Sequence, residues 1–212
     1  PLSVLLDVFQ AIQRENIPFM LVLAGLPTLF PKLVEARTYA ERMFTVLFLD
    51  SLNGEESREA IEVPLTRSPN PIRPTDEAIG AVCRVSGGYP YFIQFICREA
   101  YDIWEIDPSR SIPMQELIQK LDTDFFAGRW ARASDRQREL MFVISKLPHS
   151  NSEFSVQEVV DESKKYAKPF SNSHVNQMLT KLSEKGLIYK NRYGRYSFAV
   201  PMLQEFILRQ PI

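Results

Sequence analysis

Cysteine and histidine are scarce in this chain, whose 212 residues hold two of each. Cys83 and Cys97 stand inside apolar helical patterns at a spacing that matches neither a CxxC redox pair nor a zinc knuckle, so both read as small core residues. With His149 and His174 the only histidines, a His-based metal site is not expected. No apolar run approaches the roughly 18 residues of a membrane span, and no charged leader precedes an apolar stretch. The expectation is a cytoplasmic, reducing location without a membrane partner. An excess of one charge is missing too, since 25 Lys+Arg face 26 Asp+Glu. With 45% hydrophobic and 24% charged residues the composition is that of an ordinary globular chain, long enough for a sizeable core and two modules. The near-neutral total conceals an asymmetry: residues 1–148 carry 16 basic against 20 acidic side chains, residues 149–212 carry 9 against 6. A mildly basic tail permits contact with nucleic acid without diagnosing it.

Val4, Leu5, Val8, Phe9 and Ile12 recur at helical spacing, and Asn16 with Pro18 stops that helix before an apolar run from Phe19 to Leu23. An uninterrupted run suits a parallel strand covered on both faces. Thr28 is placed to cap a helix with Pro31 in its first turn, and a second apolar strand is expected at Thr45–Leu49. Helix, strand, helix, strand is the unit of a doubly wound α/β sheet. Two parallel strands are too few to stand alone, so partner strands are expected from sequence before Pro1 or from another chain. The absence of an initiator Met points to a piece of a longer protein. Beyond Asp50 the pattern is helical: a short helix over 55–61, a connector rich in proline at Pro64, Pro69, Pro71 and Pro74, then two helices flanking Ser86-Gly87-Gly88-Tyr89-Pro90. The glycines suit a helix end and Pro90 a helix start. Further helices are expected over 114–126 and 136–147.

From Phe154 a capping box of Ser155 and Glu158 opens one helix. Ser171 caps another, in which Val175, Met178, Leu179 and Leu182 form one face before Gly186. Strands over 187–190 and 196–200 flank a turn containing Gly194. Helix, turn, helix and hairpin within some fifty residues predict a winged helix. Against double-stranded DNA the second helix would offer Ser173, Asn176, Gln177, Thr180 and Lys181 to the major groove, while Lys190, Arg192 and Arg195 reach phosphate. Any solvated helix face is polar, so domain packing is the competing use, and Glu184 argues for weak binding.

The segments Leu23-Ala24-Gly25-Leu26-Pro27, Tyr39-Ala40-Glu41-Arg42-Met43-Phe44 and Gly88-Tyr89-Pro90-Tyr91-Phe92-Ile93-Gln94, in this order, resemble AAA+/STAND P-loop ATPases of prokaryotes, in particular the archaeal-type ATPases and the origin-recognition-like branch, which end in a winged helix. The resemblance covers nearly the whole chain. It implies a mainly α protein with a partial α/β, P-loop NTPase-like amino-terminal piece: residues 1–52 as the second half of a nucleotide-binding domain, 53–148 as helical lid and linker, 149–212 as winged helix. Gly25 then ends the sensor 1 strand, although Ala24 and Gly25 replace the polar residue usual there, which weakens the case for hydrolysis. Arg42 falls at the arginine-finger position, with Arg37 as substitute, and such a guanidinium would act on a neighbouring subunit's ATP in a homo-oligomer. Gly88, Tyr89 and Pro90 match a lid segment that packs on adenine and sugar, so with Gly25 they are the nucleotide-binding candidates.

Nothing matches GxxxxGK[ST], and no apolar strand ends in paired acids. ATP or ADP with magnesium is therefore expected only in the full-length protein, bound by an upstream nucleotide-binding half, and this chain alone is expected neither to hold a cofactor nor to hydrolyse ATP. On this reading lid and winged helix couple nucleotide state to DNA or a protein partner. The alternative is a winged-helix DNA-binding regulator or an interaction scaffold without ATPase activity.

Overall fold

A computed structural model of the chain describes residues 1–25, 29–149, 152–191 and 194–211. Thr28, named above as a cap, and Arg192 lie outside them, as do Leu26 and Pro27. The fold is mainly α-helical with one small antiparallel sheet.

Helix α1 (Leu2–Arg14) buries Leu6 and Phe9, and Asn16 takes the left-handed conformation just beyond its end. α2 (Leu29–Ala36) and the single turn α3 (Ala40–Met43) complete a small cluster around Leu6, Leu33 and Ala40. The two expected strands are not formed: residues 17–25 and 44–53 carry no helix or strand. Phe9 holds the two segments together, its ring 6.3 Å from that of Phe19 and stacked at 5.9 Å on that of Phe44. Leu23 packs on the amino-terminal cluster and Leu52 on the larger core, while other apolar side chains of these segments face outward, Met20 at 82%, Leu47 at 80% and Leu49 at 92% exposure. A strand is defined by its neighbour's ladder, and among the described residues neither segment has one.

The second and larger core runs without a break from Ile61 to Ile207. α4 (Gly54–Thr66) starts at an Asn53/Glu56 capping box: Asn53 Oδ1 accepts from Glu55 N and Glu56 N, both at 2.9 Å, while Glu56 Oε2 accepts from Asn53 N at 2.8 Å. It continues through Pro64, so it is longer than the proline spacing suggests. A proline one turn from the end forfeits a single ladder bond, and buried Ile61 and Leu65 outweigh that loss. α5 (Asp76–Ser86) is capped by Thr75 and ends at Gly87, φ +58°. α6 (Pro90–Ile106) carries the buried stripe Phe92, Ile93, Phe95, Ile96, Ala100 and Trp104. Cys83 and Cys97, on these two helices, are half-buried free thiols; burial, and secondarily Cys83, pushes Cys97 up to about 12. Such a thiol stays protonated and inert at neutral pH.

α7 (Met114–Leu121) passes into a π-helical turn, Asp122–Phe126, and then α8 (Ala127–Trp130), where one uniform helix was expected. The turn packs Phe126 against both Phe92 of α6 and Phe206 near the carboxy terminus. α9 (Asp135–Ser145), boxed by Ser134 and Gln137, contacts all the helices that follow it. Those are α10 (Val156–Ser163), α11 (Asn172–Glu184) and α12 (Leu203–Leu208). Packing therefore crosses residue 148. Lys185 Nζ reinforces it, donating to Gln137 Oε1 and Arg132 O, each at 2.7 Å. The sheet has strand order β1-β3-β2: β1 (Phe154–Ser155), β2 (Ile188–Lys190) and β3 (Arg195–Phe198), with Phe154 opposite Tyr196, Ser155 opposite Arg195 and Ile188 opposite Phe198. Gly194, φ +77°, supplies the turn of the β2–β3 hairpin.

Candidate functional site

The turn between α5 and α6 is a junction of three segments. Gly87 and Gly88 both have positive φ, +58° and +73°. Leu52 N donates to Gly88 O at 2.9 Å, and a Cβ on Gly88 would overlap the Leu52 carbonyl oxygen, lying 3.1 Å from the Leu52 carbonyl carbon. Gly88 is buried because the backbone leaving the amino-terminal unit lies directly on it. On the other side, a Cβ on Gly87 would stand 4.0 Å from Cβ of Pro201, on the stretch between β3 and α12. Met202 beside it holds φ +62°, a left-handed conformation unusual for a non-glycine residue.

Tyr89 caps α6 without a side-chain bond, its ring 4.9 Å from that of Phe92, and Pro90 is exposed. Pro90 has no N–H, Tyr89 N donates to Ser86 O at 3.1 Å and Phe92 N to Tyr89 O at 2.9 Å. At this turn Pro90 is exposed and Tyr89 half-buried. Among the described residues no group of His, Cys, Asp or Glu could hold a metal ion.

The two candidate finger arginines differ sharply. Arg37 is engaged: Nε and Nη2 donate to both Asp7 oxygens at 2.8 and 2.6 Å, Nη1 donates to Ala36 O at 2.9 Å, and Tyr39 Oη donates to Asp7 Oδ1 at 2.6 Å. A bidentate fork fastening α1 to the end of α2 makes Arg37 structural. Arg42 is exposed; its backbone N donates to Tyr39 O at 3.0 Å, and its side chain has no hydrogen bond or ion pair among the described residues. Neither Glu35 nor Glu41 holds it. Gly25 is also exposed, and the tip of Leu29 would lie 2.9 Å from its added Cβ. No hydrogen bond or ion pair of the described residues joins Gly25 or Arg42 to the Gly88 turn.

The Arg37 and Tyr39 bonds hold the Asp7 carboxyl down from 3.8 to about 2. A depressed carboxylate stabilises the fold fully above its unfolded pKa, and that contribution is lost as pH falls from 3.8 through about 2. Thermal melts of Asp7→Asn and the parent chain should accordingly differ at pH 5 and converge as pH approaches 2. The gap at pH 5 should shrink in high salt, because both partners are partly exposed. A gap unchanged between pH 5 and 2 would show that the pair plays no such part.

At the carboxy-terminal end, α11 turns Val175, Met178, Leu179 and Leu182 inward and leaves Ser173, Asn176, Gln177, Thr180 and Lys181 exposed on its outer side. Asn176 Nδ2 donates to Asn172 O and Thr180 Oγ1 to Asn176 O, bonds that solvent-facing polar side chains make at little cost. Lys190 is exposed at the hairpin, and neither it nor Lys181 has a carboxylate partner among the described residues. Arg195 is different. Its Nη1 donates to Glu158 Oε2 at 3.0 Å, and the same oxygen accepts from Ser155 N at 2.6 Å and Ser155 Oγ at 2.7 Å. These bonds hold Glu158 below the usual carboxylate range. Glu153 lies on the same side, its Oε1 accepting from Asn191 Nδ2 at 2.8 Å. Sequence reasoning found Glu158 as a cap but missed its second role. The signal was the two-residue strand β1, which sets Ser155 opposite Arg195.

Residues 123–207 match a family model described as Domain of unknown function (DUF8462). The matched span opens in the π-helical turn and closes in α12, and so takes in α8–α11, most of α12 and the whole sheet. No curated protein matches the chain. No helix of the described residues is long and apolar enough to cross a membrane.

Proposed function

We propose that this chain is the coupling part of an ATP-binding switch protein of the AAA+/STAND kind, in which a helical lid passes nucleotide state to a DNA-binding winged helix. Residues 1–52 complete an α/β sheet with a phosphate-binding half that is not in this chain, and that half holds the triphosphate and magnesium. Their two apolar segments, with side chains such as Met20, Val22, Leu47 and Leu49 exposed, are the natural sites for added strands. Residues 53–148 are the lid, with Tyr89 and Pro90 against the base or sugar. α10 and α11 with the β2–β3 hairpin are the winged helix, α11 entering the major groove. Arg42, unpaired and exposed, is the arginine finger toward a second copy. The observation that carries the reading is the Gly87–Gly88 junction: the turn that would sense the nucleotide is bonded to Leu52 on one side, and on the other a Cβ on Gly87 would stand 4.0 Å from Pro201.

The test is fluorescence anisotropy of a labelled random-sequence duplex titrated with the chain across a salt series, beside a Lys181→Ala, Arg192→Ala, Arg195→Ala triple variant. The expected result is binding that weakens linearly in log–log salt and is lost in the variant, since phosphate neutralisation releases counterions. No binding at low salt would sink the DNA half of the proposal. It would favour the second reading, a protein-docking unit, for which the acidic Glu153 and Glu158 beside the hairpin speak.

A further inference from the structure

We infer that Glu158 is a built-in brake on DNA binding, holding Arg195 in an ion pair that duplex phosphate must displace. The inference rests on the reading that α11 and the hairpin meet duplex DNA. Three features of the hairpin base carry it. The register sets Arg195 on β3 directly opposite Ser155 on β1, and Ser155 is the residue whose backbone and side chain both bond Glu158. Glu158 is thereby fixed by its own helix cap at the place where the arginine emerges, and it accepts Arg195 Nη1 at 3.0 Å. Both side chains remain about half exposed, so the pair is open to solvent and to an incoming phosphate. A phosphate approaching Arg195 must part the pair and then lie beside the released carboxylate, whereas Lys181 and Lys190 present no such obstacle. The hairpin therefore contributes less affinity than its cations suggest, and α11 with Lys190 carries the contact.

The capping box allows a clean test, because glutamine at the third helical position satisfies it as glutamate does. Glu158→Gln removes the charge while leaving an acceptor for Ser155 N. Anisotropy titrations of the full chain, Glu158→Gln, Arg195→Ala and the double variant are compared across the salt series, with thermal melts as the control for folding. The expected result is about three- to five-fold tighter duplex binding by Glu158→Gln, the modest gain appropriate to a solvent-exposed pair. Its salt slope should steepen by roughly 0.9, one further phosphate contact, and the gain should vanish in the double variant, which binds like Arg195→Ala. Equal affinity for the parent and Glu158→Gln overturns the brake while leaving DNA binding in place. A gain that survives in the double variant also overturns it, since Glu158 would then repel phosphate without acting through Arg195. No binding by any variant at low salt overturns the DNA reading and the brake together.

Discussion

Replacing Gly88 by alanine is expected to destabilise the fold by roughly 3–5 kcal/mol, a melting temperature lower by about 10 °C for a chain of this size. Two costs add. A residue with a Cβ pays ~1–2 kcal/mol to hold the left-handed conformation that Gly88 adopts at φ +73°. The second cost is larger and local: the new methyl would overlap the Leu52 carbonyl oxygen, which belongs to backbone and cannot rotate away. Relief requires the turn to move off Leu52, breaking the Leu52 N to Gly88 O bond and opening the join between the amino-terminal unit and the helical body. Gly87→Ala is the matched control. Its φ of +58° carries the same conformational cost, but the space is open apart from Pro201 Cβ at 4.0 Å, so about 1–2 kcal/mol is expected. Comparable losses in the two variants would show that Leu52 does not press on Gly88.

That glycine illustrates what the sequence could and could not disclose. Two adjacent glycines before Tyr-Pro announce positive φ between helices, and the helices are there. The reason for the second one is backbone from a residue thirty-six positions earlier, which no local pattern encodes. Helix starts were legible at Ser155 and Ser171, where the cap's partner lies within three residues, while the equally local caps at Asn53, Thr75 and Ser134 were not read. Pairings of distant residues were not legible: the Asp7–Arg37 fork leaves no periodic trace, and it engages Arg37 while the Arg42 side chain stays open. α12 was missed because six residues after a proline give too short a pattern, and the π-helical turn because its altered winding shifts side-chain phase without changing composition. The apolar runs at 19–23 and 45–49 were read as strands and form none, because a strand is a relation between two segments. Their sequence fixes half of it, and the hydrogen-bonding partner must supply the rest.

The same dependence on distant contacts makes Phe126 the residue on which the helical body turns. Its ring lies 5.9 Å from Phe92 on α6, 4.9 Å from Phe125 and 5.1 Å from Phe206 on α12, and its side chain is fully buried. The π-helical turn matters here because it packs Phe126 between α6 and α12. Asp122, at the start of that turn, fastens the same pair of regions from outside, accepting from Arg209 Nε and Nη2 at 2.8 and 2.6 Å. Truncating Phe126 to alanine leaves a cavity that neighbouring aromatic rings cannot close, a cost of about 3–5 kcal/mol. Since the core is continuous from Ile61 to Ile207, the loss should lower one cooperative transition, followed alike by far-ultraviolet circular dichroism and by the fluorescence of Trp104 and Trp130. If Phe126→Ala instead splits the melt in two, with Trp104 and the carboxy-terminal sheet unfolding at separate temperatures, lid and carboxy-terminal unit are independent bodies. A nucleotide signal arriving at the Gly88 turn would then have no rigid path to α11. A single shifted transition is the outcome that coupling requires, because a lever transmits motion only if its two ends share one core.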